Sequence, residues 1–223
     1  MGFSKEWDDL YRNNRHMSVW PWSQLVSLCL RHTPLGKKEG EYQVLEVGCG
    51  AGANLPFFCS YSDQVYALDG SEHIVTLLKE RFPSLASQIK VADFTKEIPF
   101  TEQFDLIVDR GASVHNDTAS IARYLSNAYT HLKPGGHLII TDWFSTEHGY
   151  FDSGTSIAQD HLTKYGYETG PFAGVGKVHF FDRATIMTLT EQFDLIHLEH
   201  QITQVDGIKE QGASWSLVLS KPE

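Results

Sequence analysis

Carboxylates recur along the first half of this 223-residue chain, each set in or just after a short apolar run. Glu46 interrupts Val44-Leu45-Glu46-Val47, which leads straight into Gly48-Cys49-Gly50-Ala51-Gly52. Asp69 closes Val65-Tyr66-Ala67-Leu68, Asp93 follows Val91-Ala92, and Asp109 follows Phe104-Asp105-Leu106-Ile107-Val108. Glycine at every second position lets the backbone turn sharply and approach a ligand without Cβ clashes. The segment from Ala53 to Ser60 can start a helix, whose N-terminus favours an anionic group. The chemistry this suggests is the holding of a small cofactor over the end of the first strand.

Each acid has a role within that reading. Asp69 stands about 20 residues past the glycines, where an acidic residue accepts both hydroxyls of a ribose. Such charge-assisted bonds are worth roughly 1.5–3 kcal/mol each. Asp69 can instead cap the next helix, a place Ser71 can also fill. Asp93 can accept from an exocyclic adenine amine while the Phe94 amide meets a ring nitrogen, or it can be part of a plain surface turn. Glu46 can organise the glycine loop or the charged end of the cofactor, or face solvent at a strand end.

The elements that would position these groups alternate. Strands are predicted at 44–48, 64–68, 89–92, 104–109 and 137–142, with helices at 53–60, 72–82 and 118–131 between them. Lys133-Pro134-Gly135-Gly136 reads as a helix stop. This is the pattern of a parallel sheet with helices on both faces. A helix from about Pro21 to Arg31 precedes it, Pro suiting a first helical turn. Residues 143–181 lose periodicity and are rich in Gly, Tyr, Phe and His, which in a compact domain signals a functional loop. A helix near 182–191 and strands near 193–200 and 213–220 follow, the last two as an antiparallel hairpin at the sheet edge. The expected organisation is one domain over 1–223, with 1–40 as an N-terminal cap and 143–181 as an insertion.

Composition narrows the partners. A formal net charge of −10 disfavours nucleic acid, which needs a basic surface. Three cysteines without paired spacing, Cys29, Cys49 and Cys59, argue against a disulfide framework or structural zinc. No signal peptide and no run of membrane-spanning length is read, so the expected location is the cytoplasm, away from membranes.

The chain resembles the class I S-adenosylmethionine-dependent methyltransferases. The resemblance rests on five ordered blocks spanning about 100 residues: Val44–Gly52, Val65–Asp69, Val91–Phe94, Phe104–Arg110 and Leu132–Asp142. A dinucleotide-binding alternative fits less well, because G-x-G-x-x-G is replaced by Gly48, Gly50 and Gly52 followed by Asn54 and Leu55. The resemblance implies an α/β Rossmann-like fold, a mostly parallel seven-stranded sheet with an antiparallel edge strand and helices on both faces. It implies S-adenosylmethionine as cofactor and S-adenosylhomocysteine as product. Carried over by position, Glu46, Gly48 and Gly50 surround the methionine portion, Asp69 holds the ribose, and Asp93 and Phe94 frame the adenine. Asp109 and Arg110 lie beside the sulfonium and the acceptor entrance. Cys49, Asn54 and Gly70, within or beside these blocks, complete the set. In many relatives the segment before the first strand closes over the cofactor, which nominates Tyr11, Arg15 and Trp20, although Trp20 and Trp22 can equally pack the first helix on the sheet.

For the acceptor, the Asn/Asp-Pro-Pro-aromatic motif of adenine and glutamine-amide methyltransferases is missing after the fourth strand. Candidate bases are His115, Asp142 and His148. A divalent cation is not expected, since Trp143 stands where catechol-type members carry Asn. The aromatic wall of 143–181 suits a small molecule with polar handles, and equally a static cap or dimer interface. The expected activity is methyl transfer to O or N of a small metabolite (a sugar, an amino-acid derivative or a natural-product intermediate) by a monomer or homodimer. A protein or peptide side-chain methyltransferase and a non-catalytic cofactor-binding module are the alternatives.

Overall fold

The computed structural model describes residues 5–37 and 41–223. Two helices come first, α1 (Lys5–Arg12) and α2 (Ser23–His32). The alternating part follows: β1 (Val44–Val47), α3 (Leu55–Cys59), β2 (Val65–Asp69), α4 (Glu72–Arg81), β3 (Ile89–Val91), β4 (Phe104–Arg110), α5 (Thr118–His131) and β5 (Leu132–Phe144). Then come β6 (Thr155–Ile157), β7 (Asp160–Tyr165), β8 (Val178–His179), α6 (Arg183–Leu189), β9 (Asp194–Thr203) and β10 (Gly212–Ser220).

Seven strands form one sheet in the order β3-β2-β1-β4-β5-β10-β9. Strands β1 to β5 pair in parallel, and β10 runs antiparallel to both β5 and β9. The strand order reverses between β1 and β4. Ligands of open α/β sheets bind at such a switch point, beyond the carboxyl ends of the strands.

Strand parity assigns the two faces, since successive side chains point to opposite sides. Leu45, Val47, Leu68, Ile107 and Leu138 pack with Ile121 and Leu125 of α5 and Ile186 of α6. Val44, Val65, Ala67, Val108 and Ile139 pack with Leu25 and Leu28 of α2 and Ile74 and Leu78 of α4. Glu46 shares the parity of Val44, so the fold buries a carboxylate on the α2 side of the sheet.

Three features depart from the sequence reading. Helix α1 forms where none was expected, and its Leu10 joins a third apolar cluster with Phe172, Val178 and Phe180. β5 starts at Leu132 instead of 137, with Lys133-Pro134-Gly135-Gly136 looped out as an irregularity against β4 and Gly135 at φ +68°. Residues 143–181 hold a three-stranded antiparallel sheet, β6-β7-β8. β6 and β8, of three and two residues, are too short for an alternating pattern to show, and β7 buries Leu162, Thr163 and Lys164 in succession instead of alternating. Among the described residues no helix is long and apolar enough to cross a membrane.

Candidate functional site

The glycine loop after β1 is held from both sides. Gly48, Gly50 and Gly52 all have positive φ (61°, 50° and 72°). A Cβ on Gly48 would collide with the Ala112 methyl, so the loops after β1 and β4 touch only because this residue has none. Asp69 Oδ2 accepts from the Gly50 amide at 2.9 Å, and its Oδ1 accepts from the Ser71 amide at 2.9 Å. The Asp69 carboxylate therefore ties the first loop to the second. Burial raises its pKa to about 6, against the backbone bonds that pull it down.

Glu46 is 2% exposed. Its Oε1 accepts from Asn54 Nδ2 at 2.7 Å, and Asn54 Oδ1 accepts from the Trp22 amide at 3.1 Å, just before α2. Glu46 Oε2 is buried and has no hydrogen-bond partner among the described residues. Burial pushes its pKa up to about 7, the Asn54 bond opposing.

The loop after β4 is built on Asp109. Its Oδ1 accepts from the amides of Ala112 (2.9 Å) and Ser113 (3.3 Å). Ser113 Oγ accepts from Trp143 Nε1 at 2.7 Å, and the Trp143 ring stacks on Phe181 with centroids 4.0 Å apart. This turn delivers His115. His115 Nδ1 lies 3.0 Å from the Lys177 carbonyl oxygen, which can only accept, so Nδ1 carries the hydrogen and Nε2 keeps its lone pair. Trp7 packs edge-on to the His115 ring at 4.7 Å. Burial lowers the His115 pKa to about 4, so the ring is neutral at pH 7.

These loops and α1 enclose a cavity of about 340 Å³ beyond the carboxyl ends of β1, β2 and β4. Residues 44–136, the stretch that builds most of its wall, match the family model described as methyltransferase domain. This stretch is a methyltransferase domain. A phosphoethanolamine N-methyltransferase of Plasmodium falciparum is 32% identical over 113 residues, covering 49% of this chain and 42% of that protein. Phosphoethanolamine N-methyltransferase 3 of Arabidopsis thaliana is 28% identical over 187 residues, 79% of this chain and 36% of that protein. The chain thus spans less than half the length of these curated relatives. Among solved structures, N-methyltransferase NodS from Bradyrhizobium japonicum in complex with S-adenosyl-L-homocysteine superposes with a TM-score of 0.65 at 18% identity, covering 99% of this chain and all of that one. The fold is that of S-adenosylmethionine-dependent methyltransferases.

Of the site residues expected in this methyltransferase domain and its flanks, twelve line the cavity: Tyr11, Glu46, Gly48, Cys49, Gly50, Asn54, Asp69, Gly70, Asp93, Phe94, Arg110 and His115. Five do not. Trp20 is 81% exposed, because residues 13–22 connect two helices without regular structure and, of their two tryptophans, Trp22 is the one that lines the cavity. Arg15 is exposed in the same connection. Asp109 is fully buried beneath the cavity, its Oδ1 taken by the Ala112 and Ser113 amides and its Oδ2 without a hydrogen-bond partner among the described residues. Asp142 is one step removed, with its Oδ2 2.8 Å from Arg110 Nε. His148 sits in an aromatic cluster with Phe144 and Phe172, where its Nδ1 accepts from the Tyr150 amide.

The cavity also includes residues that were not expected: Trp7, His16, Ser18, Trp22, Ala92, Thr95, Gly111, Ala112 and Asn116. For Trp7 a signal existed, the Trp7–Tyr11 spacing of one helical turn. For Trp22 there was none, because only the path of the chain separates it from Trp20.

Proposed function

We propose that this chain uses S-adenosylmethionine to methylate the nitrogen of a small amine-bearing metabolite. The observation that carries the reading is the cavity itself, which joins a buried acceptor, Glu46 Oε2, to a neutral His115. The residues fit the cofactor. Glu46 Oε2 is an unmatched acceptor suited to an ammonium group, Asp69 has lone pairs left for ribose hydroxyls, and Asp93 and Phe94 sit where an adenine would be framed. When bound, S-adenosylmethionine supplies a methyl group on a sulfonium, an activated leaving group.

The protein then has to align an acceptor and exclude water. His115 Nε2 accepts a hydrogen bond from the acceptor amine and turns its lone pair inward. With a pKa near 4 the ring orients the amine and does not store its proton. No residue of 143–181 lines the cavity, so the segment acts on the acceptor side from behind the wall: Lys177 sets the His115 ring and Phe144 packs edge-on to it. The names of the similar proteins, phosphoethanolamine N-methyltransferases and an N-methyltransferase, favour nitrogen over oxygen as the reacting atom.

The test is incubation with methyl-labelled S-adenosylmethionine and a panel of small amines that includes phosphoethanolamine. Label in an N-methylated small product is expected. Label found only on protein, or none with cofactor bound, overturns the small-amine reading.

A further inference from the structure

Among the described residues, Arg110 is the only lysine or arginine on the cavity wall. Its guanidinium lies flat over Trp22, with Cζ 3.6 Å from the ring centroid. Nε stands 2.8 Å from Asp142 Oδ2 but makes no hydrogen bond, so that contact is electrostatic in nature. Asp142 itself is built for the place. It has φ +59°, a left-handed conformation uncommon outside glycine, at the irregularity where β5 pairs with β10. Stacking fixes the plane of the guanidinium and Asp142 backs its Nε side. The forked edge of the group, two amino groups that match a carboxylate or phosphate, keeps no hydrogen-bond partner among the described residues. The rest of the wall carries Glu46, Asp69 and Asp93, so an anion in the cavity has one cation to meet.

We propose that Arg110 is a preformed clamp for an anionic end group, the carboxylate of the cofactor's methionine portion or a carboxylate or phosphate on the acceptor. The clamp rests on the function proposed above. Its geometry explains why a charged side chain is held on an aromatic face instead of reaching into solvent.

The test is calorimetric binding to wild type, Arg110→Gln and Arg110→Lys, with folding checked by thermal melting. The probes are S-adenosylhomocysteine, its decarboxylated analogue, and inorganic phosphate added to the S-adenosylhomocysteine-loaded protein. Arg110→Gln weakening S-adenosylhomocysteine about tenfold or more, with the decarboxylated analogue unaffected, supports the clamp and assigns it to the cofactor. Unchanged S-adenosylhomocysteine with a similar loss for phosphate supports it and assigns it to the acceptor. Equal affinities of wild type and Arg110→Gln for both probes overturn it, and full recovery by Arg110→Lys overturns the role of the planar fork. Wild type that fails to bind S-adenosylhomocysteine overturns the proposed function instead, and phosphate binding to the unloaded protein then decides the clamp. If Arg110→Gln does not fold, Trp22→Ala replaces it, since Trp22 is 40% exposed. Loss of anion affinity with the charge intact supports the clamp, and unchanged affinity overturns it.

Discussion

His115 Nδ1 meets the carbonyl oxygen of Lys177 at 3.0 Å across 62 positions of sequence. The His115 ring on the cavity wall is thereby given one tautomer by a backbone group of the 143–181 segment. Lys177 is itself anchored, its ammonium 2.8 Å from Asp117, the N-cap of α5. That ion pair and the capping bonds hold the Asp117 carboxyl well below its usual range.

His115→Ala is expected to lower turnover while leaving S-adenosylhomocysteine affinity nearly unchanged. Wild-type turnover should not fall through a His115 titration between pH 7 and about 5.5, because the ring has a pKa of about 4. An acid limb centred near pH 6.5 that disappears in His115→Ala would contradict this. The sign for stability follows from the same shift. A histidine depressed on folding from 6.5 to about 4 contributes stability that is lost as pH falls through that window.

Glu46→Gln is expected to reverse a pH trend. The Glu46 pKa rises from 4.5 to about 7 on folding, so its contribution to stability is present below 4.5 and lost as pH rises through 7. The ligand-free variant should therefore gain on wild type in melting temperature between pH 5 and pH 8, while S-adenosylmethionine binds it more weakly. Parallel melting curves at both pH values would remove Glu46 from this role.

Asp69→Ala should weaken S-adenosylhomocysteine binding at least about tenfold and also loosen the glycine loop, since two amides lose their acceptor. Faster hydrogen exchange at Gly50 and Ser71 is the check. Weakened binding without faster exchange would confine Asp69 to ligand contact.

Trp143→Phe tests the support under the β4 loop. The variant keeps an aromatic ring on Phe181 but loses the Trp143 Nε1–H bond to Ser113 Oγ, an expected cost of about 1 kcal/mol. Trp143→Ala, at a fully buried position, should cost about 3–5 kcal/mol. Denaturant unfolding measures both: wild-type stability in Trp143→Phe would mean that the hydrogen bond contributes nothing, and equal losses in the two variants would mean that the ring packing contributes nothing.

Gly48→Ala should cost both stability and cofactor affinity, because φ is +61° and the new methyl would occupy the place of Ala112. Near-wild-type binding would show that the two loops can separate freely.

Much of the domain was legible in the sequence because its signals are local. The β–α alternation from Val44 to His131, the glycine loop, and the acids at 46, 69 and 93 depend on spacing within a few residues, and the fold brings all three acids to one wall. The sequence alone thus determined the order of elements from Val44 to His131 and the placing of acids at the ends of β1, β2 and β3. Tertiary structure decided the rest. Asp109 looks like Asp69 in sequence, yet the turn to Ala112 and Ser113 folds back over its carboxylate and buries it. Trp22 and not Trp20 meets Arg110, Asp142 takes positive φ where the β5–β10 register shifts, and Lys177 sets His115 from the residue just before β8. Each of these depends on contacts between residues far apart in the chain, which neither local propensity nor periodicity encodes.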